Sequence, residues 1–304
     1  MDWTVKRRSL QKRGYQLLNL AGEGAFSKVY RVKREADGLI CACKVSWDQV
    51  QWNRECILLQ RIDRTSQPLF PQFYECWKED GTYYLVMEYV AGQSLREFVL
   101  RRSRLSQRQT VEIGRSLAEG LAFLKERMDV LYRDLKAENV RICQNGQVKL
   151  IDFGCVCPLT DLGKARPEDF GRAGTPGYAA PEQLESDGIV GAYSDVYSIG
   201  RLLHYLVTGD DPCLPPMRKP PIRAYDRRLS RVFEQLLEEC VRAEGRERPP
   251  EMRRVLQRLC RLKEKSSPRY VWEELCAACR RRSRPEYLFE KNIIRVKSDP
   301  LFRQ

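Results

Sequence analysis

Residues 130–154 read VLYRDLKAENVRICQNGQVKLIDFG, and four polar groups in this stretch carry chemistry that is coherent only when they act together. Asp134 lies in an apolar-flanked loop, with Lys136 and Asn139 following it in the same loop. Residues 140–143 and 147–151 are short strand-like runs joined by Asn145-Gly146, a strong hairpin-turn signal. The hairpin folds the chain back and brings Asp152 towards Asn139. A carboxylate and an amide oxygen side by side supply the hard ligands that Mg²⁺ takes, and leave sites for phosphate oxygens. Asp134 and Lys136 then remain to hold a hydroxyl and a transferring phosphoryl group.

The elements that must position these groups lie upstream. Residues 15–20 read as a strand leading into Ala21-Gly22-Glu23-Gly24-Ala25-Phe26-Ser27-Lys28-Val29-Tyr30. A G-x-G between two strand-like runs forms a hairpin, whereas a dinucleotide fingerprint needs a helix directly after its glycines. The backbone N–H groups of such a hairpin can close over phosphates without interference from Cβ atoms. In the next strand, residues 39–45 (LICACKV), Ala42 and Lys44 share a face. A lysine in the middle of an apolar strand is seldom there for solubility. Residues 47–62 show helical spacing at Trp52, Cys56 or Ile57, Leu59 and Ile62, and carry Glu55. Residues 71–77 and 82–90 read as a further strand pair around Glu79-Asp80-Gly81.

From residue 94 onward the pattern turns helical. Ser94 and Ser106 stand as N-caps of helices over residues 94–102 and 105–127, the second amphipathic through Val111, Ile113, Leu117, Leu121 and Leu124. Residues 192–208 form an apolar helix ended by Gly209, with Asp195 inside its first apolar turn. A carboxylate buried there must be hydrogen-bonded. His204, alone on this apolar helix, reads as a core residue. The proline-rich residues 212–221 cannot be helical, and residues 229–241 and 249–262 read as closing helices.

In this order and spacing the chain, over about residues 15–262, resembles the eukaryotic-type (Hanks-type) serine/threonine protein kinases, with stretches that look more like bacterial members of the family than animal ones. Tyr132-Arg133-Asp134-Leu135-Lys136-Ala137-Glu138-Asn139 stands against H-R-D-x-x-x-x-N, and Asp152-Phe153-Gly154 against D-F-G. Gly174-Thr175-Pro176-Gly177-Tyr178-Ala179-Ala180-Pro181-Glu182 resembles the substrate-binding loop and A-P-E end of an activation segment. Lys136 in D-L-K-x-E-N, with Thr175, is the serine/threonine form of the pattern rather than the tyrosine form.

The resemblance implies an α+β, bilobal protein-kinase-like fold: a small antiparallel β-sheet lobe (15–90) and a mainly helical large lobe (91–264), flanked by a basic arm (1–14) and a basic extension (265–304). It implies ATP and Mg²⁺, with transfer to a serine or threonine hydroxyl of a protein substrate. Asp134 would orient the hydroxyl and accept its proton, Lys136 would stabilise the γ-phosphoryl group, and Asn139 and Asp152 would hold the metal. Lys44, fixed by Glu55, would hold the other phosphates. The glycine loop (Gly22, Glu23, Gly24, Ala25, Phe26, Ser27) would cover them, with Ala21, Val29 and Ala42 above the adenine. Met87 would guard the back pocket, the backbone of Glu88 and Val90 would meet the adenine edge, and Arg141 would form the floor. Arg133 implies a negative partner on residues 155–182, for which Glu168 or Asp169 is expected. Asp195 would grip backbone near the catalytic loop, and Arg248 would pair with Glu182.

Four positions depart from the family pattern. Tyr132 replaces the histidine and keeps a flat ring at a packing position. Ser27 stands where a third glycine is usual, Ala21 where a larger aliphatic residue is usual, and Arg141 where an aliphatic residue is usual, although its methylene stem can cover a ring. The three around the nucleotide motivate an alternative, a nucleotide-binding pseudokinase or scaffold with little turnover. The presence of Lys44, Asp134 and Asp152 speaks against that alternative. A small-molecule kinase is opposed by the segment ending in A-P-E.

The chain of 304 residues carries a net charge of +13, unevenly spread. Residues 1–14 hold five basic residues against Asp2, and residues 261–304 hold twelve against six acidic ones. These ends read as solvated tails or as contacts for an acidic or anionic partner, with nucleic acid disfavoured. Twelve scattered cysteines read as reduced thiols in a cytoplasmic protein, and the lone Cys276–Cys279 pair is weak as a metal site. No apolar run approaches the ~18 residues of a transmembrane helix, and the first residues are too polar for a secretory signal.

Overall fold

A computed structural model describes residues 3–65, 67–159, 164–165 and 173–262. Five antiparallel strands, β1 (Tyr15–Glu23), β2 (Ser27–Arg34), β3 (Ile40–Ser46), β4 (Phe73–Glu79) and β5 (Thr82–Glu88), form one sheet in the order β1-β2-β3-β5-β4. Asp80 and Gly81, both at positive φ, turn β4 into β5 in the conformation that suits the twist of a tight hairpin. Directly paired residues share a face, as do residues two apart. The register Gly22–Val29–Lys44 and Ala42–Met87 therefore puts all five residues on one side of the sheet. Tyr30, Val32, Cys41, Cys43, Val45, Tyr84 and Val86 take the other side and build a core of their own.

That second core is covered by α1 (Trp3–Lys12). Within the basic first stretch, read as a solvated tail or a contact for a partner, this helix instead docks on the sheet. Leu10 and Ser9 are buried, Trp77 Nε1 donates to Ser9 Oγ at 3.2 Å, and Lys12 pairs with Glu79 at 2.7 Å. Trp77 stacks between Tyr15 and Tyr84, with ring centroids 6.4 and 4.8 Å away. Leu10 thus removes from water an aromatic patch that a bare sheet would expose.

Helix α2 (Gln49–Asp63) begins later than its apolar spacing suggests, because Asp48 caps it. Asp48 Oδ1 accepts from Val50 and Gln51 N–H at 2.9 and 3.0 Å. The link from β3 is only Trp47-Asp48. Ser46 Oγ donates to the Phe26 carbonyl at 3.1 Å and accepts from Asp48 N–H at 3.1 Å, while Trp47 N–H donates to the same Phe26 carbonyl at 3.3 Å.

After β6 (Gly92–Ser94) the chain is mainly helical. Capping boxes at Ser94 with Glu97, and at Ser106 with Gln109, start α3 (Leu95–Arg102) and α4 (Gln107–Met128). Strands β7 (Val130–Leu131), β8 (Val140–Cys143), β9 (Val148–Leu150), β10 (Cys157–Pro158), β11 (Lys164–Ala165) and β12 (Val190–Gly191) are short. They frame the loop that carries Asp134 and the one-turn α5 (Pro181–Leu184). Helix α6 (Ala192–Thr208) ends at Gly209 in the left-handed region and packs against α4 and α8 (Arg231–Cys240). Between them the proline-rich stretch leaves only α7 (Ile222–Tyr225), and α9 (Met252–Arg261) closes the described chain. Leu117, Leu121, Ile199, Leu202, Phe233 and Leu259 belong to one continuous core with residues of α2 and β5. His204 serves this packing: its Nε2 lies 2.8 Å from the Pro220 carbonyl, and burial lowers its pKa.

Arg248 locks the end of the 174–182 segment to this core. Its guanidinium makes two bonds to Glu182, at 2.7 and 2.9 Å, donates to the carbonyls of Arg242, Ala243 and Tyr193, and lies over the Tyr197 ring. Removing one partner of a buried pair leaves the other charge uncompensated. Arg248→Ala is expected to cost about 3–5 kcal/mol in urea unfolding. Arg248→Lys should recover only part of that loss, because an ammonium cannot match the planar fork. Equal midpoints for Arg248→Ala and the unaltered chain would contradict this role.

Candidate active site

Lys44 is buried on β3, and three elements converge on its ammonium group. Nζ lies 2.7 Å from Glu55 Oε2 on α2 and 2.8 Å from Asp152 Oδ1 on the loop after β9. The other Glu55 oxygen accepts from Phe153 N–H at 3.2 Å, so one carboxylate ties strand, helix and loop together. Burial works against the Lys44 charge, but Asp152 and Glu55 outweigh it and hold its pKa above the ordinary lysine value. Asp152 is itself about half exposed, and Lys44 holds its carboxyl below the ordinary aspartate value. At Glu55 burial wins and raises the pKa, while Lys44 and the Phe153 N–H oppose it.

The second cluster lies in the loop after β7. Lys136 Nζ contacts Asp134 Oδ2 at 2.6 Å and donates to Thr175 Oγ1 at 2.9 Å. The Thr175 hydroxyl in turn donates to Asp134 Oδ1 at 2.8 Å. Asn139 Nδ2 donates to the Asp134 carbonyl at 3.0 Å and to Oδ2 at 3.1 Å. Asn145-Gly146 makes the predicted turn, with Gly146 at positive φ, and Ile151 N–H donates to the Asn139 carbonyl at 2.8 Å. The residue before Asp152 is thereby bonded to Asn139 across the hairpin.

The loop carrying Asp134 is held by α6. Asp195, buried as its apolar surroundings require, accepts Tyr132 N–H and Arg133 N–H at 2.9 Å each. Burial raises its pKa, and the two N–H bonds pull it back. Arg133 sits at φ 70° and Asp152 at φ 83°, left-handed conformations that side-chain-bearing residues hold only where the surroundings impose them. The Tyr132 ring meets Phe153 edge-on at 5.8 Å, the packing role expected of it.

Of the expected nucleotide residues, Gly22, Val29, Ala42, Lys44 and Met87 share the sheet face described above, and Ala21 falls at a register shift in β1. Phe26 is half exposed at the glycine turn, and Gly24 N–H closes that turn on the Ser27 carbonyl at 2.8 Å. Arg141 lies on β8 opposite Ser94 and donates to the Gly92 carbonyl. Glu88 is fixed by Lys149, 2.6 Å away on β9. Lys149 was not anticipated, and neither was Gln183, fully buried on α5. Gln183 Nε2 donates to the carbonyls of Arg133 and Ala173 at 2.8 and 3.1 Å, joining the catalytic loop to the peptide-binding loop. A glutamine one residue past A-P-E was the available signal. Glu168 and Asp169, the expected partners of Arg133, lie outside the described residues, as do Cys276, Cys279 and the C-terminal extension.

The profile of the protein kinase domain matches residues 15–278. The chain belongs to the protein kinase family. This kinase is 33% identical over 229 residues to the probable serine/threonine-protein kinase zyg-1 of Caenorhabditis elegans, covering 74% of this chain and 31% of that protein. It is 30% identical over 214 residues to maternal embryonic leucine zipper kinase of Danio rerio, with 67% and 31% covered. It is also 30% identical over 214 residues to the probable serine/threonine-protein kinase PknB of Bifidobacterium longum, with 65% and 30% covered. The kinase spans less than half the length of the curated relatives it matches. Those relatives are serine/threonine-protein kinases or kinases by name, and use of ATP with a divalent metal is a property of the protein kinase family. Among the described residues no helix is long and apolar enough to cross a membrane.

Asp195→Ala in this kinase strands two buried N–H donors, at a cost of about 2–4 kcal/mol. It should also loosen the catalytic loop, which amide hydrogen exchange at Tyr132 and Arg133 would register as lost protection. Unchanged exchange there would show that other contacts hold the loop.

Proposed function

We propose that this kinase transfers the γ-phosphate of ATP to serine or threonine hydroxyls of a protein substrate, with the residues above in the roles the motifs assign. The observation that carries the proposal is the Thr175 hydroxyl, held between Asp134 Oδ1 and Lys136 Nζ. An acceptor hydroxyl in the same place would give its proton to Asp134, while Lys136 steadied the charge on the transferring group.

Lys44, kept charged by its two carboxylates, holds the non-transferred phosphates, and the Gly22–Ser27 turn covers them with N–H groups. The backbone of Glu88 and Val90 reads the adenine edge, with Lys149 holding Glu88 in register. Arg141 provides the floor beneath the base and Ala21 the roof. The donor set fits Mg²⁺. Asn139 commits Nδ2 to Asp134, which leaves its amide oxygen, and Asp152 commits Oδ1 to Lys44 and Gly154 N–H, which leaves Oδ2. One amide and one carboxylate oxygen leave room for phosphate oxygens and water. When bound, the cation neutralises charge on the phosphates.

A second reading, a nucleotide-binding pseudokinase, draws on the Arg141 guanidinium bonded to Gly92 beside the base site. The domain division into residues 15–90, 91–264 and 265–304 belongs to this proposal. So does an acidic or anionic partner for the basic extension. A cytoplasmic location accords with the ten described cysteines, all free thiols.

Transfer from [γ-³²P]ATP to a Ser/Thr peptide mixture tests the first reading. Asp134→Asn should lower kcat by roughly 10²–10⁴-fold, the share of a positioned base, with nucleotide affinity retained. Tight ATP–Mg²⁺ binding with no transfer by the unaltered chain would favour the second reading.

A further inference from the structure

Arg96, in the first turn of α3, is not used by the chemistry above, yet it joins two acids beside the acceptor site. Its Nη1 lies 2.8 Å from Asp211 Oδ2 and 3.3 Å from Glu138 Oε1. Glu138 stands in the same loop as Asp134 and directly precedes Asn139. Asp211 follows the end of α6 and accepts Cys213 N–H at 2.9 Å. The loop it opens lies against the peptide-binding turn. Cys213 Sγ donates to the Pro176 carbonyl at 3.2 Å, and a Cβ on Gly177 would meet the Pro212 carbonyl at 2.3 Å. The turn pressed against that loop includes Thr175, whose hydroxyl touches Asp134 and Lys136. A peptide presenting its hydroxyl to Asp134 must therefore pass near Arg96, Glu138 and Asp211.

The charges there do not balance. Two carboxylates share one guanidinium, and Glu138 Oε2 is buried with no hydrogen-bond partner among the described residues. A buried unpaired acceptor is costly, so this acidic pair depends on the Arg96 guanidinium beside it, and losing that cation would leave both carboxylates open to another. Among the described residues, Arg96 is the cation paired with these two carboxylates. It remains about one-third exposed, so it is not sealed into the core.

Building on the kinase reading, we propose that Arg96 is a specificity-determining residue. It occupies the place where a basic side chain flanking the acceptor would bind, and so keeps the kinase from requiring basic substrates. Cutting Arg96 back uncovers the Glu138 and Asp211 carboxylates and turns the groove into a receptor for lysine or arginine. A merely structural Arg96, stapling α3 to the catalytic loop, would alter stability or overall turnover but not the ranking of peptides.

The test scans a single arginine through each position of a neutral Ser peptide, with the unaltered kinase, Arg96→Ala and Arg96→Gln. Binding of the same fluorescent peptides by anisotropy is measured alongside, independently of turnover. Both variants should gain at least about tenfold in kcat/KM, and in affinity, for arginine at one position, as expected when a partly buried carboxylate pair regains a cation. Adding Asp211→Asn should remove most of that gain. An unchanged peptide ranking in both variants would overturn the proposal, as would a strong arginine requirement in the unaltered kinase. Should no chain transfer phosphate, the kinase reading fails, and the anisotropy ranking still decides the role of Arg96. Thermal melts of the two variants identify any that do not fold, and the other then carries the comparison.

Discussion

A buried cation cannot stand alone, and Lys44 is where this chain meets that constraint. Its ammonium group has left water on β3 and is compensated from outside its own strand by Glu55 and Asp152. Each contact fixes a different body: Glu55 sets the rotation of α2 against the sheet, and Asp152 sets the loop that follows the hairpin. The second oxygen of Glu55 takes the Phe153 N–H, so the helix and the loop are also joined directly. Separating the partners would strand a charge in a poorly solvating interior, at several kcal/mol per ion. The small sheet and the helical part therefore share one electrostatic joint, and the groups proposed to hold metal and phosphate are placed on either side of it.

The helical part supplies a comparable joint of its own. Asp195 uses both carboxylate oxygens on consecutive N–H groups, and Gln183 bonds the carbonyl of the second of those residues. Arg133 is thus held through its N–H and its C=O in a conformation its side chain disfavours. A loop fixed at both ends keeps Lys136 and Asn139 at 2.6 and 3.1 Å from the Asp134 carboxylate. The strain at Arg133 and Asp152 is maintained by packing around Tyr132, Phe153 and Phe70, whose rings meet edge to face.

Much of this arrangement was legible in the sequence, because the groups that converge are of unusual type for their surroundings. A lysine inside an apolar strand, a carboxylate inside an apolar helix turn and an Asn-Gly between two short strands each announce a constraint that local structure alone cannot explain. The pairing of Arg248 with Glu182 was legible only through the resemblance to the kinase pattern. What escaped depends on partners far away in the chain. Helix α1 looks like a basic tail until Trp77 and Tyr84, some seventy residues on, present a stacked aromatic surface for Leu10. Lys149 looks like an ordinary strand lysine until the hairpin brings it to Glu88. The start of α2 moved because a single Asp48 side chain captured two backbone donors, which hydrophobic spacing does not reveal.

The Phe26 carbonyl has a wider effect than its place in a turn suggests. It accepts bonds from Ser46 and Trp47, and Ser46 also receives the N–H of the residue that caps α2. The tip of the glycine flap is therefore moored to the same two-residue hinge that carries the Glu55 helix. Opening the flap for nucleotide exchange must tug on that mooring, so entry of a nucleotide and rocking of the helix become two views of a single displacement.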